Sequence, residues 1–193
     1  SIKGYIYEND KKNAAFYLSS FSDLVRKILT HSSSQEIELQ EEIEILKLYI
    51  ELEAMLIQDD FKYDIVIDEN LDISHIKIPA LLIQPYIENA FKHGLRHKSG
   101  KKTIDINFDI DTKNNCLIVT IKDNGVGRIK SEMINKKLKN SHQSFATNAT
   151  AKRIELLNSN QKNIISVQII DNIANEGNPL GTSVVLTISL NDK

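Results

Sequence analysis

IDINFDIDTKNNCLIVTIKDNGVG, residues 104–127, decides how this chain is read. Ile104, Ile106, Phe108 and Ile110 alternate with polar residues, and Leu117, Val119 and Ile121 do the same, the period-two pattern of half-buried strands. Asp123-Asn124-Gly125 then breaks the second run. Working outward, Phe61 to Ile67 alternates as a further strand, Pro79 marks a helix start, and Leu81 to His97 is the helix, with Gly94 near its end. Downstream, residues 128–148 are polar and read as a long irregular connection, of the kind that is functional or mobile. Thr150 to Asn158 reads as a short amphipathic helix. Ile165, Val167 and Ile169 suggest a strand, 172–181 a turn-rich hairpin loop, and Val184, Leu186, Ile188 and Leu190 a last strand.

The first sixty residues have a different grammar. Asn13 to Thr30 holds no Gly or Pro, and Leu18, Phe21, Val25 and Ile28 recur at steps of three and four, as in a helix packed on another helix. Ser33 with Glu36 fits a capping box, so a second helix is expected there. In it Leu39, Ile43, Leu46 and Ile50 keep one line while Ile45, Leu48, Leu52 and Met55 lie off it, which implies two neighbours. Its many glutamates, Glu41, Glu42 and Glu44 among them, read as a solvated acidic face. The expected architecture is α+β: a two-helix hairpin over 1–58, then over 59–193 an α/β sandwich whose mixed sheet is covered by helices on one face.

Composition narrows the function. The chain has 193 residues, with 24 Lys and Arg against 26 Asp and Glu, a net charge of −2. That balance argues against a nucleic-acid binder with a strongly basic body, and no partner nucleic acid is expected. No apolar run reaches membrane-spanning length, so no membrane contact by these residues is expected. The lone Cys116 fits a reducing compartment. The start at Ser1, without Met, reads as a cut from a longer protein.

There is no P-loop, and Gly125-Val126-Gly127 lacks the third glycine of the dinucleotide fingerprint. His93 and His97 sit at i and i+4, but two imidazoles without a third ligand do not make a zinc site. Three other segments are better suited to chemistry. In Pro85-Tyr86-Ile87-Glu88-Asn89-Ala90-Phe91-Lys92-His93-Gly94, the polar residues Glu88, Asn89, Lys92 and His93 crowd one side of a helix. An amide oxygen can ligate Mg²⁺, and Lys and His can meet phosphate. In Asp123-Asn124-Gly125-Val126-Gly127-Arg128, a carboxylate can accept from an exocyclic amine, and glycines let backbone approach a flat ring. In Gly181-Thr182, a hydroxyl can stand beside a base. Taken singly, the last two also read as ordinary turns.

Their joint order resembles the ATP-binding domain of the GHKL superfamily, with its Bergerat-type fold, which includes the histidine kinases, type II topoisomerases and MutL. More narrowly, Pro85 to Gly94 is similar to the LytS/YehU-type sensor histidine kinases. Phe21 to Arg26, Glu41 to Glu53, and Ser144 to Leu157 resemble the flanking segments and lid of that family. The resemblance implies ATP and Mg²⁺ as ligands. Asn89 would hold the metal, and Lys92 and His93 would flank phosphates or ribose. Asp123 would take the adenine amino group, Gly125 and Gly127 would shape the pocket, and Gly181 and Thr182 would hold the base. Residues 128–148 would form a lid, with Lys152 and Arg153 as charge partners.

Two departures from that pattern bear on the chemistry. Ala146 stands where a lid glycine is common. Pro85 occupies the position of the water-activating Glu of hydrolysing members, while Glu88, with at most a supporting role, is next to Asn89, which favours transfer over hydrolysis. None of the five histidines (31, 75, 93, 97, 142) lies in a phosphoacceptor context. The implied protein is therefore the cytoplasmic kinase core of an inner-membrane two-component sensor. It would dimerise through its N-terminal helices and pass the γ-phosphoryl to a His upstream of Ser1, then to a response regulator, suspected to be of LytTR type. The alternatives are a degenerate GHKL interaction module without phosphotransfer and, last, a serine kinase of the anti-sigma type.

Overall fold

The computed structural model describes residues 5, 7, 9–57, 60–137, 143–159, 164–173 and 179–190. They fall into two compact units, residues 1–58 with 73–87, and residues 59–72 with 88–193.

In the first unit, helix α1 (Lys11–Ser32) opens on Asp10, whose side chain accepts the Asn13 N–H at 3.1 Å. The second helix does not begin at Ser33. Glu36–Glu38 is instead a short strand, β1, antiparallel to β3 (Lys77–Pro79) with Ile37 opposite Ile78. Helix α2 (Leu39–Ala54) follows, and the Glu41 side chain reaches back to the Glu38 N–H at 3.3 Å. Local spacing could not show this, because the partner strand lies forty residues away in sequence.

Of the line Leu18, Phe21, Val25 and Ile28, only Ile28 meets the unit's core; the other three are exposed, and α1 packs there through Tyr17, Leu24 and Ile28. Both lines are apolar and helically spaced, so periodicity alone does not choose between them. Leu39, Ile43, Leu46 and Ile50 are buried along α2, and of the second line Ile45 and Leu52 are buried while Leu48 and Met55 are half-buried. Glu42 departs from the solvated acidic face and is wholly buried.

The second unit is a five-stranded mixed sheet in the order β2-β4-β5-β7-β6, made of β2 (Phe61–Ile67), β4 (Lys102–Asp111), β5 (Cys116–Asp123), β6 (Ile165–Ile173) and β7 (Pro179–Ser189). Only β2 and β4 pair in parallel; the other neighbours are antiparallel. The register places Ile106, Ile121 and Val184 in one row and Phe108, Val119 and Leu186 in the next, each wholly or almost wholly buried. Asp105, Asn107 and Asp109, between them on β4, are exposed. This alternation is the signature of a sheet with one covered face.

Pro79 ends β3 and does not start a helix. The chain turns through Leu81 at φ +55° before α3 (Gln84–Asn89) begins. The helix then widens into a π turn over Ala90–Gly94 and tightens into a 3₁₀ turn over Leu95–His97. The Phe91 ring, on the π turn, lies 5.4 Å from that of Phe61 on β2. The connection after Asp123 is less irregular than its polarity suggests. Arg128–Lys137 is helix α4, and α5 spans Gln143–Ser159, beginning well before Thr150. Neither α4 nor the first half of α5 contains Gly or Pro, so helix is permitted even without an apolar stripe. Of the loop expected over 172–181, residues 174–178 lie outside those described.

Phe108 fills the middle of the covered sheet face and is fully buried. Replacing it by alanine is expected to destabilise the sheet unit by about 3–5 kcal/mol, measured as a lowered urea midpoint with a cooperative transition retained.

Candidate functional site

Three glycines bring the sequence motifs of the second unit together. The π turn ends at Gly94, and a Cβ there would stand 2.8 Å from Asp123 Oδ1. A Cβ on Gly125 would collide with the Gly94 backbone, and one on Gly181 with the backbone of Asp123 and Asn124. Gly181 has φ +109° and Gly127 φ +74°, conformations that glycine adopts freely and side-chain-bearing residues rarely do. The Val126 N–H donates to the Gly94 carbonyl at 3.3 Å, joining the helical segment to the turn directly. Thr182 lies opposite Asp123 in the β5–β7 register. The helix end, the β5 turn and the start of β7 therefore meet at one place.

At that place Asp123 is only 5% exposed. Its Oδ1 accepts the Gly125 N–H at 2.7 Å. Burial raises its carboxyl to about 6, while the N–H groups of Gly125 and Thr182 and the charge of Lys98 pull it down. Lys98 Nζ donates to the Asn124 carbonyl at 2.6 Å, and the Asn124 side chain accepts the Thr103 N–H at 2.9 Å. The turn is thus tied on both sides, and its carboxyl is held in a dry cradle that any Cβ at 94, 125 or 181 would disturb.

One turn upstream, Glu88 and Asn89 are half-buried at the end of α3, with Lys92 exposed and His93 half-buried on the π turn. Lys92 Nζ pairs with Glu88 Oε2 at 2.7 Å. His93 is held below the ordinary imidazole range by burial first, then by Lys92, His97 and Arg96. It is a neutral donor–acceptor near pH 7.

Helix α4 packs against the π turn and β7. A groove of about 390 Å³ beside Gly127 and Gly181 is lined by Ile129, Met133, Ile173 and Pro179. Arg128, also in its wall, makes a two-pronged pair with Asp171 at 2.9 and 2.8 Å. Lys152 and Arg153 are exposed on α5, which packs against β6. The side chain of Ala146 and the whole of His142 lie outside the described residues. The motif reading missed Gly94 as a packing residue, and it missed Lys98 and Asp171. An acidic residue at the end of the Ile165–Ile170 apolar run was the available signal for Asp171.

The raised Asp123 carboxyl has a signed consequence. Between pH 4 and pH 6 the folded chain keeps a proton that the unfolded chain releases, so stability falls as pH rises through that window. The expected loss is on the order of 3 kcal/mol. Urea midpoints at successive pH values should show it as a difference between the unaltered chain and Asp123→Asn, which lacks the slope.

The histidine kinase family model matches residues 1–61. The chain is 33% identical over 118 residues to the sensor protein LytS of Oceanobacillus iheyensis and 30% over 118 residues to LytS of Staphylococcus epidermidis. Each match covers 61% of this chain, and 20% and 19% of those proteins. It is also 26% identical over 127 residues to the sensor histidine kinase YesM of Bacillus subtilis, covering 66% of the chain and 21% of YesM. The chain therefore spans about a fifth of the length of these relatives. Among solved structures, the histidine kinase domain of an Erythrobacter litoralis blue-light activated kinase superposes with TM-score 0.56 at 12% identity, covering 92% of this chain and 74% of that one. The mycobacterial sensor histidine kinase MprB gives TM-score 0.51 at 12% identity, covering 82% and 98%. Sequence and fold converge: the chain is similar to LytS-type sensor histidine kinases, and it has the fold of their kinase class.

Proposed function

We propose that this chain is the ATP-binding kinase core of a two-component sensor, built to move the γ-phosphoryl of ATP to a histidine outside these 193 residues and on to an aspartate of a response regulator. The observation that carries this reading is the meeting of Gly94, Asp123, Gly125 and Gly181. It puts a buried acceptor, closely packed glycine backbone and a phosphate-compatible helix side around one place.

The donor set suits a nucleotide with its metal. Among the described residues no group of three His, Cys, Asp or Glu could hold a metal ion by itself. A divalent ion bound through the Asn89 amide oxygen would complete its shell from phosphate oxygens and water, which is how Mg²⁺ is usually held. Bound there, Mg²⁺ would neutralise phosphate charge. Asp123 would accept the adenine amino group, with Thr182 beside it and Gly125 and Gly127 shaping the pocket. Lys92 would exchange its Glu88 partner for phosphate, and neutral His93 would donate to phosphate or ribose. Lys152 and Arg153 would take part only if α5 swings toward the phosphates, as a lid spanning 128–148 would. No side chain need act as a strong base, because phosphoryl transfer depends chiefly on positioning and charge neutralisation.

The partner reading rests on α1. Leu18, Phe21, Val25 and Leu29 are exposed apolar residues along one side of a 22-residue helix, which suits a second copy of the chain packed along it. Residues 1–58 would then be the dimerisation part and 59–193 the ATP-binding part. A LytTR-type response regulator and a place on the cytoplasmic side of a membrane sensor extend the same reading. Among the described residues no helix is long and apolar enough to cross a membrane.

Titration calorimetry with Mg-ATP tests the site. Asn89→Ala is expected to weaken binding at least tenfold, and affinity in the unaltered chain should fall as pH drops through 6, where Asp123 takes up its proton. Unchanged affinity in Asn89→Ala would remove the metal role from that residue.

A further inference from the structure

We infer that Glu42 is a positioning residue: its buried carboxylate grips the root of the helix that carries Asn89 and makes the candidate site responsive to the helical unit. This inference rests on the nucleotide-site reading above and adds a route for its regulation.

Glu42 lies on α2 with no exposed surface. Its Oε2 accepts the Leu81 N–H at 2.8 Å and its Oε1 accepts the Ile83 N–H at 2.9 Å. A carboxylate offers acceptors at both oxygens. A glutamine offers one and would face an N–H with its own NH₂. Leu81, held at φ +55°, is a non-glycine residue in the left-handed region, and such a conformation persists where its surroundings over-determine it. Helix α3 starts at Gln84, the residue after Ile83. Both carboxyl oxygens therefore meet backbone N–H groups immediately before that helix.

The segment before this grip is tied through its backbone to α2 and to the residue before β1. Leu39 N–H donates to the Ile76 carbonyl at 2.8 Å, Gln40 N–H to Ile73 at 3.0 Å, and Ala80 N–H to Gln35 at 3.2 Å. Those ties fix 73–80 whatever side chain stands at 42. The carboxylate acts one step later, on the two amides from which the helix departs. From Ile83 to Asn89 the rise is about 9 Å at 1.5 Å per residue, with no Gly until position 94. A shift of α2 that loosens or re-aims residues 81–83 is therefore carried along α3 to Glu88 and Asn89, and into the π turn that holds Lys92.

Site-resolved amide exchange on the full 193-residue chain tests this without nucleotide. In Glu42→Gln, amides of Leu81, Ile83 and residues 88–93 should exchange at least tenfold faster, while those in the middle of β5 and β7 keep their rates. Faster exchange confined to 81–83, with 88–93 unchanged, overturns the inference and leaves Glu42 a local cap. A nucleotide arm follows. Mg-ATP affinity should fall at least fivefold in Glu42→Gln, and by reciprocity saturating Mg-ATP should slow exchange of Leu81 and Ile83 in the unaltered chain. That last measurement needs no variant, so it decides even if Glu42→Gln folds poorly. Bound nucleotide with no change at Leu81 and Ile83 overturns the inference. An unaltered chain that binds no Mg-ATP overturns the nucleotide reading instead, and the exchange arm then judges the coupling by itself.

Discussion

The approach of Gly94, Gly125 and Gly181 to Asp123 is the constraint on which the sheet unit is organised. A helix end, a strand end and a strand start come within a side chain's thickness of one another, which only residues lacking Cβ permit. The consequences are chemical as well as steric. Water is excluded from the carboxyl, which then titrates near pH 6, and backbone N–H groups become its partners. The same packing that makes the fold close here also makes the acceptor unusual.

Around this point the helical segment changes character. It is α up to Asn89, π through Gly94 and 3₁₀ to His97. A π turn inserts extra backbone into a helix and recurs at functional positions. Here it lets Phe91 lie against Phe61 on the edge strand while Gly94 reaches the β5 turn. Lys92 and His93 occupy the widened stretch. Their charges are already moderated, one by the Glu88 ion pair and the other by burial beside cationic neighbours.

Much of the sheet was legible from alternation, because one covered face forces period two on every strand. Phe61–Ile67 matches its expected bounds, and Ile104 to Phe108 and Leu117 to Ile121 place their apolar residues on the covered face. What failed had non-local causes. Glu36–Glu38 is a strand because Lys77–Pro79 lies beside it, and no window around Ser33 contains that fact. Glu42 belonged to a glutamate-rich stretch and looked solvated; its partners are backbone amides far along the chain. In the site, glycines and Asp123 could be named from motif order, whereas Gly94 as a contact, Lys98 and the Arg128–Asp171 pair required three dimensions. Polar helices such as α4 were missed because their sequences carry too few apolar residues for periodicity to detect.

The chain crosses between the two units three times, since residues 73–87 return to the first after 59–72 have entered the second. Excising the sheet by starting after residue 58 would carry this returning stretch along without its cover. Ile78, Leu82, Ile83 and Ile87, all almost completely enclosed, would face water, inviting aggregation of the shortened product. During synthesis β2 cannot pair with β4 until the residues between them, 73–87 of the first unit among them, have been made.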